Sequence, residues 1–246
     1  MDVKGDTGMK AASELKVKIF ADGADKKAML ELYRNPHVKG FTTNPTLMHK
    51  AGVRDYEAFA KEILQAIPDR PISFEVFADD FADMERQARR IATWGKNVYV
   101  KIPIMNTKRE SAAPLIAKLS KDGIALNVTA IFTLPQVQAV AAAAKGGAAC
   151  IVSVFAGRIA DTGRDPMPLM IESVKILKPV PNAELLWAST REFFNIIQAD
   201  EIGCPIITVP TDIIKKMSGY GKDLDDSSLE TVKIFFDDGK AAGFKL

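Results

Sequence analysis

Val98-Tyr-Val-Lys-Ile-Pro103 is a β-branched and aromatic run that stops at a proline and carries one charge in its middle. A run of Val and Ile without strict polar alternation reads as a strand covered on both faces, the habit of parallel sheets. Lys101 therefore sits where charge is ordinarily excluded. Two readings are open for it. The side chain snorkels to water from a strand end, or it is a desolvated amine, in which burial favours the neutral form that attacks carbonyls.

Working outward, similar short apolar runs recur along the chain, each followed by a helical pattern. Val17-Lys-Ile-Phe20 is a first strand, and Gly40-Phe-Thr-Thr-Asn-Pro45 ends a second. Ile72-Ser-Phe-Glu-Val-Phe77 is a third and the opening stretch a fourth. Ala125-Leu-Asn-Val-Thr-Ala130, Cys150-Ile-Val-Ser-Val-Phe155, Glu184-Leu-Leu-Trp-Ala188 and Pro205-Ile-Ile-Thr-Val209 complete eight. Helices are expected over 26–33, 46–50, 55–66, 80–93, 108–121, 134–145, 167–177, 191–199, 211–217 and 228–242. Strands alternating with helices over 246 residues predict an α/β protein, a single (β/α)₈ TIM barrel with an extra C-terminal helix. The doubly wound open sheet is the alternative, but no glycine-rich fingerprint follows the first strand. Residues 1–14 read as a disordered leader and 15–246 as one barrel domain including the last helix.

Composition narrows the function classes. Apolar residues make up 47% of the chain, enough for a core, and charged residues 26%. The net charge of +2 leaves no basic footprint for nucleic acid. No apolar run reaches membrane length. Cys150 and Cys204 lack metal-type spacing and read as reduced, buried residues of a cytoplasmic protein. His37 and His49 have no carboxylate or cysteine at ligand spacing, so no metal is expected.

The two-residue period of a strand sorts the side chains. Glu75 opposes Phe74 and Val76, and Lys101 opposes Val100 and Ile102. Asn127 and Thr129 oppose Leu126 and Val128, Ser153 opposes Val152 and Val154, and Trp187 and Ser189 oppose Leu186 and Ala188. With the apolar set toward the helices, the polar set faces the barrel axis, near the strand ends where barrel enzymes keep their active sites. Glu75, Lys101, Asn127 and Ser153 follow one another at intervals of 26 residues (101 − 75, 127 − 101, 153 − 127), a reasonable length for one βα unit. A lysine among a carboxylate and hydroxyls is a Schiff-base constellation. Glu75 could move protons through a water, and Asp22 could take the proton from a substrate hydroxyl as a carbon–carbon bond breaks.

Phosphorylated substrates sit after strands seven and eight of such barrels, at arginines and helix N-termini. Ala188-Ser-Thr-Arg191 places Ser189 and Arg191 there, and Phe155-Ala-Gly-Arg158 supplies a second arginine. Two arginines suit a phosphate dianion. Each arginine taken alone is equally a surface ion pair.

Gly40-Phe-Thr-Thr-Asn-Pro45, Val100-Lys-Ile-Pro103, Leu126-Asn-Val-Thr129, Val152-Ser-Val-Phe-Ala-Gly-Arg-Ile159 and Ala188-Ser-Thr-Arg191 together resemble the transaldolase family of Schiff-base aldolases, in order and over nearly the whole chain from Val17. The resemblance implies Lys101 as the Schiff-base lysine, Asp22 as acid/base at the cleaved bond, and Glu75 and Thr129 as holders of the water used in making and breaking the carbinolamine. It implies Asn44, Asn127 and Ser153 on substrate hydroxyls, Arg158, Ser189 and Arg191 on the phosphate, and Thr42 lining the pocket. Transaldolases pass a dihydroxyacetone unit from a ketose phosphate to an aldose phosphate without a cofactor, whereas fructose-6-phosphate aldolases release or accept free dihydroxyacetone. Glu75 and Phe155 look like the transaldolase choice, since the aldolases carry glutamine and tyrosine there. The short chain and last helix look like the small subfamily, which implies a homo-oligomer, a pentamer or decamer. A barrel that only binds sugar phosphates is a further reading. Two features depart from the family pattern: no threonine or serine follows Asp22, and no proline follows Ser153.

Overall fold

The computed structural model describes residue 10 and residues 12–245. Eight strands, β1 (Lys18–Asp22), β2 (Val38–Thr42), β3 (Ile72–Glu75), β4 (Val98–Pro103), β5 (Leu126–Ile131), β6 (Cys150–Val154), β7 (Ala183–Trp187) and β8 (Ile206–Pro210), form a closed parallel barrel in sequence order, β8 returning to β1. Between and after them run α1 (Lys26–Tyr33), α2 (Pro45–Lys50), α3 (Tyr56–Ala66), α4 (Phe81–Ala92), α5 (Ala113–Lys121), α6 (Leu134–Ala144), α7 (Ala156–Ala160), α8 (Met167–Leu177), α9 (Phe194–Glu201), α10 (Thr211–Lys215) and α11 (Leu224–Ala241). This is the expected (β/α)₈ barrel.

Local chemistry starts the helices where the strands end. Asp25, Asn44, Asp55 and Asp80 each accept a backbone N–H of the first turn, and Thr133 with Gln136 forms a capping box. The apolar stripe Met84, Ala88 and Ile91 of α4 is buried against the sheet.

The expected helix over 108–121 begins only at Ala113. The Asn106 side chain accepts from the N–H groups of Lys108 and Glu110, Asp79 accepts from the N–H and hydroxyl of Thr107, and Arg109 has φ +66°. These local bonds hold 106–111 as a loop and outcompete a first helical turn.

In β7 the expected faces are reversed. Opposite residues of parallel neighbours share a face, and Ser153 pairs with Leu186, which pairs with Ile206. Leu186 and Ala188 consequently face the axis and pack with Phe20, Ile151 and Ile206, flanked by Tyr99 and Phe155. Trp187, fully buried, faces the helices. Polarity misled here because the axis-facing charge of this strand, Glu184, lies one turn of the pleat lower, where both its oxygens accept from Lys18 at 2.6 and 2.8 Å. Phe20 fills the axis because Gly40 opposite it has no side chain. A Cβ there would fall 2.6 Å from the ring.

The chain divides into two compact units, 16–214 and 1–15 with 215–246. The first contains all eight strands. In the second, 12–14 and 216–219 are single 3₁₀ turns, the Tyr220 hydroxyl donates to the Lys10 carbonyl at 2.8 Å, and α11 carries exposed Leu229, Val232, Ile234, Phe235 and Phe236. Most of the expected leader, 1–14, lies outside the described residues.

Candidate active site

A cavity of about 680 Å³ opens at the C-terminal ends of the strands. Eleven of the twelve residues singled out in the sequence line it: Asp22, Thr42, Asn44, Glu75, Lys101, Thr129, Ser153, Phe155, Arg158, Ser189 and Arg191. The twelfth, Asn127, is completely buried below the floor. Its amide donates to Ser73 at 2.9 Å and accepts from the Ser153 hydroxyl at 2.6 Å, so it orients Ser153 from beneath and is closed to a substrate hydroxyl as it stands.

Lys101 is 6% exposed, which removes the snorkelling reading. Its Nζ donates to the Thr43 carbonyl at 3.1 Å and lies 3.4 Å from Glu75 Oε2. The pairing is built into the sheet, because Glu75 and Lys101 are directly opposite in the β3–β4 register. Burial pushes the Glu75 carboxyl above its usual range, with the Lys101 charge pulling the other way. Asp22, at the end of β1, is raised by burial as well, opposed by Lys101 and by the Thr42 hydroxyl that donates to it at 2.8 Å. Thr42 in turn shares a hydrogen bond with Thr208. Two carboxyls raised by burial thus share the cavity with one buried amine, an arrangement that suits proton transfer.

Thr129 adds a hydroxyl that is buried and has no hydrogen-bond partner among the described residues. Buried hydroxyls are ordinarily paired, and this one belongs to a residue that lines the cavity. The next residue, Ala130, has φ +58° at the bulge between β5 and β6. Ser189 has φ +65°. Both left-handed residues line the cavity, where backbone strain tends to be stored.

On the opposite side, Arg158 lies with its guanidinium carbon 5.3 Å over the Phe155 ring. Arg191 Nε donates to Asp161 Oδ1 at 3.0 Å and its Nη2 to Oδ2, a fork-to-carboxylate pair on the cavity rim. Gly157 lets α7 press against this strap: a Cβ there would lie 1.6 Å from the Ser189 carbonyl oxygen.

Residues the sequence did not single out complete the site. Ser73 precedes Glu75 by two on the same strand face and was readable from the period. Thr208 on β8 was readable in the same way. Thr43, which acts through its carbonyl, and Asp161 had no pattern to mark them. Among the described residues, no three His, Cys, Asp or Glu side chains cluster as metal ligands, and no helix is long and apolar enough to cross a membrane.

A buried lysine and two carboxyls share the mouth of a (β/α)₈ barrel, an arrangement that suits an aldolase. The chain belongs to the family described as Transaldolase/Fructose-6-phosphate aldolase, whose profile matches residues 19–245. Among similar proteins, a probable transaldolase of Dehalococcoides mccartyi is 37% identical over 202 residues, 82% of this chain and 90% of the relative. A probable transaldolase of Thermoanaerobacter sp. is 36% identical over 231 residues, 94% of this chain and 100% of the relative. Solved structures share the fold. Deoxyribose phosphate aldolase from Aeropyrum pernix matches with TM-score 0.56 at 11% identity, covering 85% of this chain and 91% of that one. A monomeric dihydrodipicolinate synthase variant matches with TM-score 0.58 at 11% identity, covering 92% and 80%.

Proposed function

We propose that this aldolase-type enzyme is a transaldolase that moves a dihydroxyacetone unit from a ketose phosphate to an aldose phosphate through an imine at Lys101. The observation that carries the reading is the buried Lys101 amine 3.4 Å from Glu75 in a cavity that also holds Asp22. The amine adds to the ketose carbonyl, and the carbinolamine loses water to give an iminium, the proton passing through a water between Glu75 and Thr129. Asp22 takes the proton of the neighbouring hydroxyl as the carbon–carbon bond breaks. The electron pair moves into the enamine, and an aldose phosphate leaves. Addition to a second aldose phosphate and hydrolysis reverse these steps and free Lys101. Arg158, Ser189 and Arg191 hold the phosphate, and Asn44 and Ser153 the hydroxyls.

The reading includes a cytoplasmic homo-oligomer, pentamer or decamer, in keeping with the exposed apolar residues of α11 and the two free, buried cysteines. The test is turnover of fructose 6-phosphate with and without erythrose 4-phosphate. Turnover that requires the acceptor supports the transferase. Release of free dihydroxyacetone without it would make the protein an aldolase, and saturable binding without turnover a silent barrel.

A further inference from the structure

The seam between β2 and β3 opens beside Lys101, at a proline. Backbone donors of β2 step along β3 in twos: Phe41 N–H donates to the Pro71 carbonyl at 2.9 Å and Thr43 N–H to the Ser73 carbonyl at 3.2 Å. The next rung would run from residue 45 to the Glu75 carbonyl, and Pro45 has no N–H to give. The same step would send the Glu75 N–H to the Thr43 carbonyl, but that carbonyl accepts from Lys101 Nζ. Glu75, whose carboxylate faces Lys101, is thereby left with a backbone donor and acceptor on an unpaired edge, and such groups are costly to leave unsatisfied when buried.

One atom satisfies both. The hydroxyl of Tyr56 accepts from the Glu75 N–H at 2.7 Å and donates to the Glu75 carbonyl at 2.9 Å. A phenol can do this because it is donor and acceptor at once. Tyr56 opens α3, and its ring is wedged edge-on against Phe74, Phe77 and Trp94 with centroids 6.2, 5.7 and 5.5 Å away. Burial keeps the phenol protonated, and the residue does not line the cavity.

We propose that Tyr56 is a positioning residue of the reaction: its hydroxyl holds the end of β3, fixes Glu75 against Lys101, and keeps the Thr43 carbonyl free to hold the amine. The proposal rests on the imine reading above. Without the hydroxyl, the Glu75 N–H turns to the Thr43 carbonyl, displacing Lys101 and moving Glu75 with it.

Tyr56→Phe removes one oxygen and keeps the ring. It is compared with wild type and with Phe77→Ala, which loses ring packing and keeps the hydroxyl. The expected result is a fall in kcat and in the rate of borohydride-trapped adduct of about 10-fold or more, with KM for the ketose phosphate within about twofold and the acid limb of the kcat profile displaced. Phe77→Ala keeps kcat within about twofold. A Tyr56→Phe protein with wild-type kcat, trapping rate and pH profile overturns the proposal. Should that variant fail to fold, exchange of the Glu75 amide in the wild type decides. Exchange slowed about 100-fold relative to an open loop supports the bridge, and loop-like exchange removes it. No adduct in the wild type would instead overturn the imine reading, leaving the amide exchange to test the bridge alone.

Discussion

Glu75 and Lys101 are direct neighbours across the β3–β4 ladder, and this register sets their charged ends 3.4 Å apart inside the barrel. Lys101 is also held by the Thr43 carbonyl at 3.1 Å. With burial pushing Glu75 upward, the pH at which it titrates moves toward neutrality. The expected outcome is an acid limb in the kcat profile above the ordinary glutamate range. Glu75→Gln should lower kcat by about 10²–10⁴-fold and change that limb, leaving the part set by Asp22, which burial raises as well, read from initial rates between pH 4 and 8.

Asp22 trades stability for reactivity. Its carboxyl is raised on folding by burial, so the native state binds the proton more tightly than the unfolded chain. Its stabilising contribution is therefore fully present at acid pH and is lost as pH rises from the ordinary carboxylate range through the raised value. Asp22→Asn removes the buried charge. Its melting temperature at pH 7 should exceed that of wild type by about 2 °C or more, the difference vanishing near pH 4. Activity should fall by about 10²-fold or more. Differential scanning calorimetry at the two pH values checks the sign.

Asp161 neutralises one of the two arginines expected to hold phosphate. The pair is half exposed, so its worth is small and depends on salt. Asp161→Ala leaves the Arg191 backbone N–H on the Asn195 side chain, frees the guanidinium and raises the positive potential at the rim. KM for a phosphorylated donor should fall about 2- to 5-fold at low ionic strength, with kcat unchanged and the effect fading in added salt. Steady-state kinetics across a salt series reads this directly.

Gly157 has no room for a methyl group: its Cβ would meet the Ser189 carbonyl oxygen at 1.6 Å. Gly157→Ala must push α7 away from the strap that carries Ser189 and Arg191. Overpacking of this kind costs about 1–3 kcal/mol. The expected outcome is a lower melting temperature together with a KM for phosphorylated donors raised well beyond any change in kcat.

The barrel was legible because β-branched runs alternate with helical patterns along the whole chain, and the 26-residue interval from Glu75 through Lys101 and Asn127 to Ser153 follows that repeat. The candidate site was legible to the same extent, since eleven of its twelve expected residues meet in one cavity. What escaped depended on three-dimensional partners. Trp187 was misassigned because alternation of polarity cannot tell a helix-facing indole from an axis-facing one. Asn127 carries the right period yet lies a layer too deep, which only the Ser73 and Ser153 bonds reveal. Tyr56 belongs to a helix in sequence and to the edge of β3 in space, and Thr43 acts through a carbonyl that every residue possesses.

Borohydride reduction in the presence of fructose 6-phosphate tests the imine at Lys101 most directly, read by intact-protein and peptide mass spectrometry. The prediction is a three-carbon adduct on the peptide that contains Lys101, absent from Lys101→Ala. Folded wild-type protein that takes up no adduct, or carries it on another lysine, would contradict it.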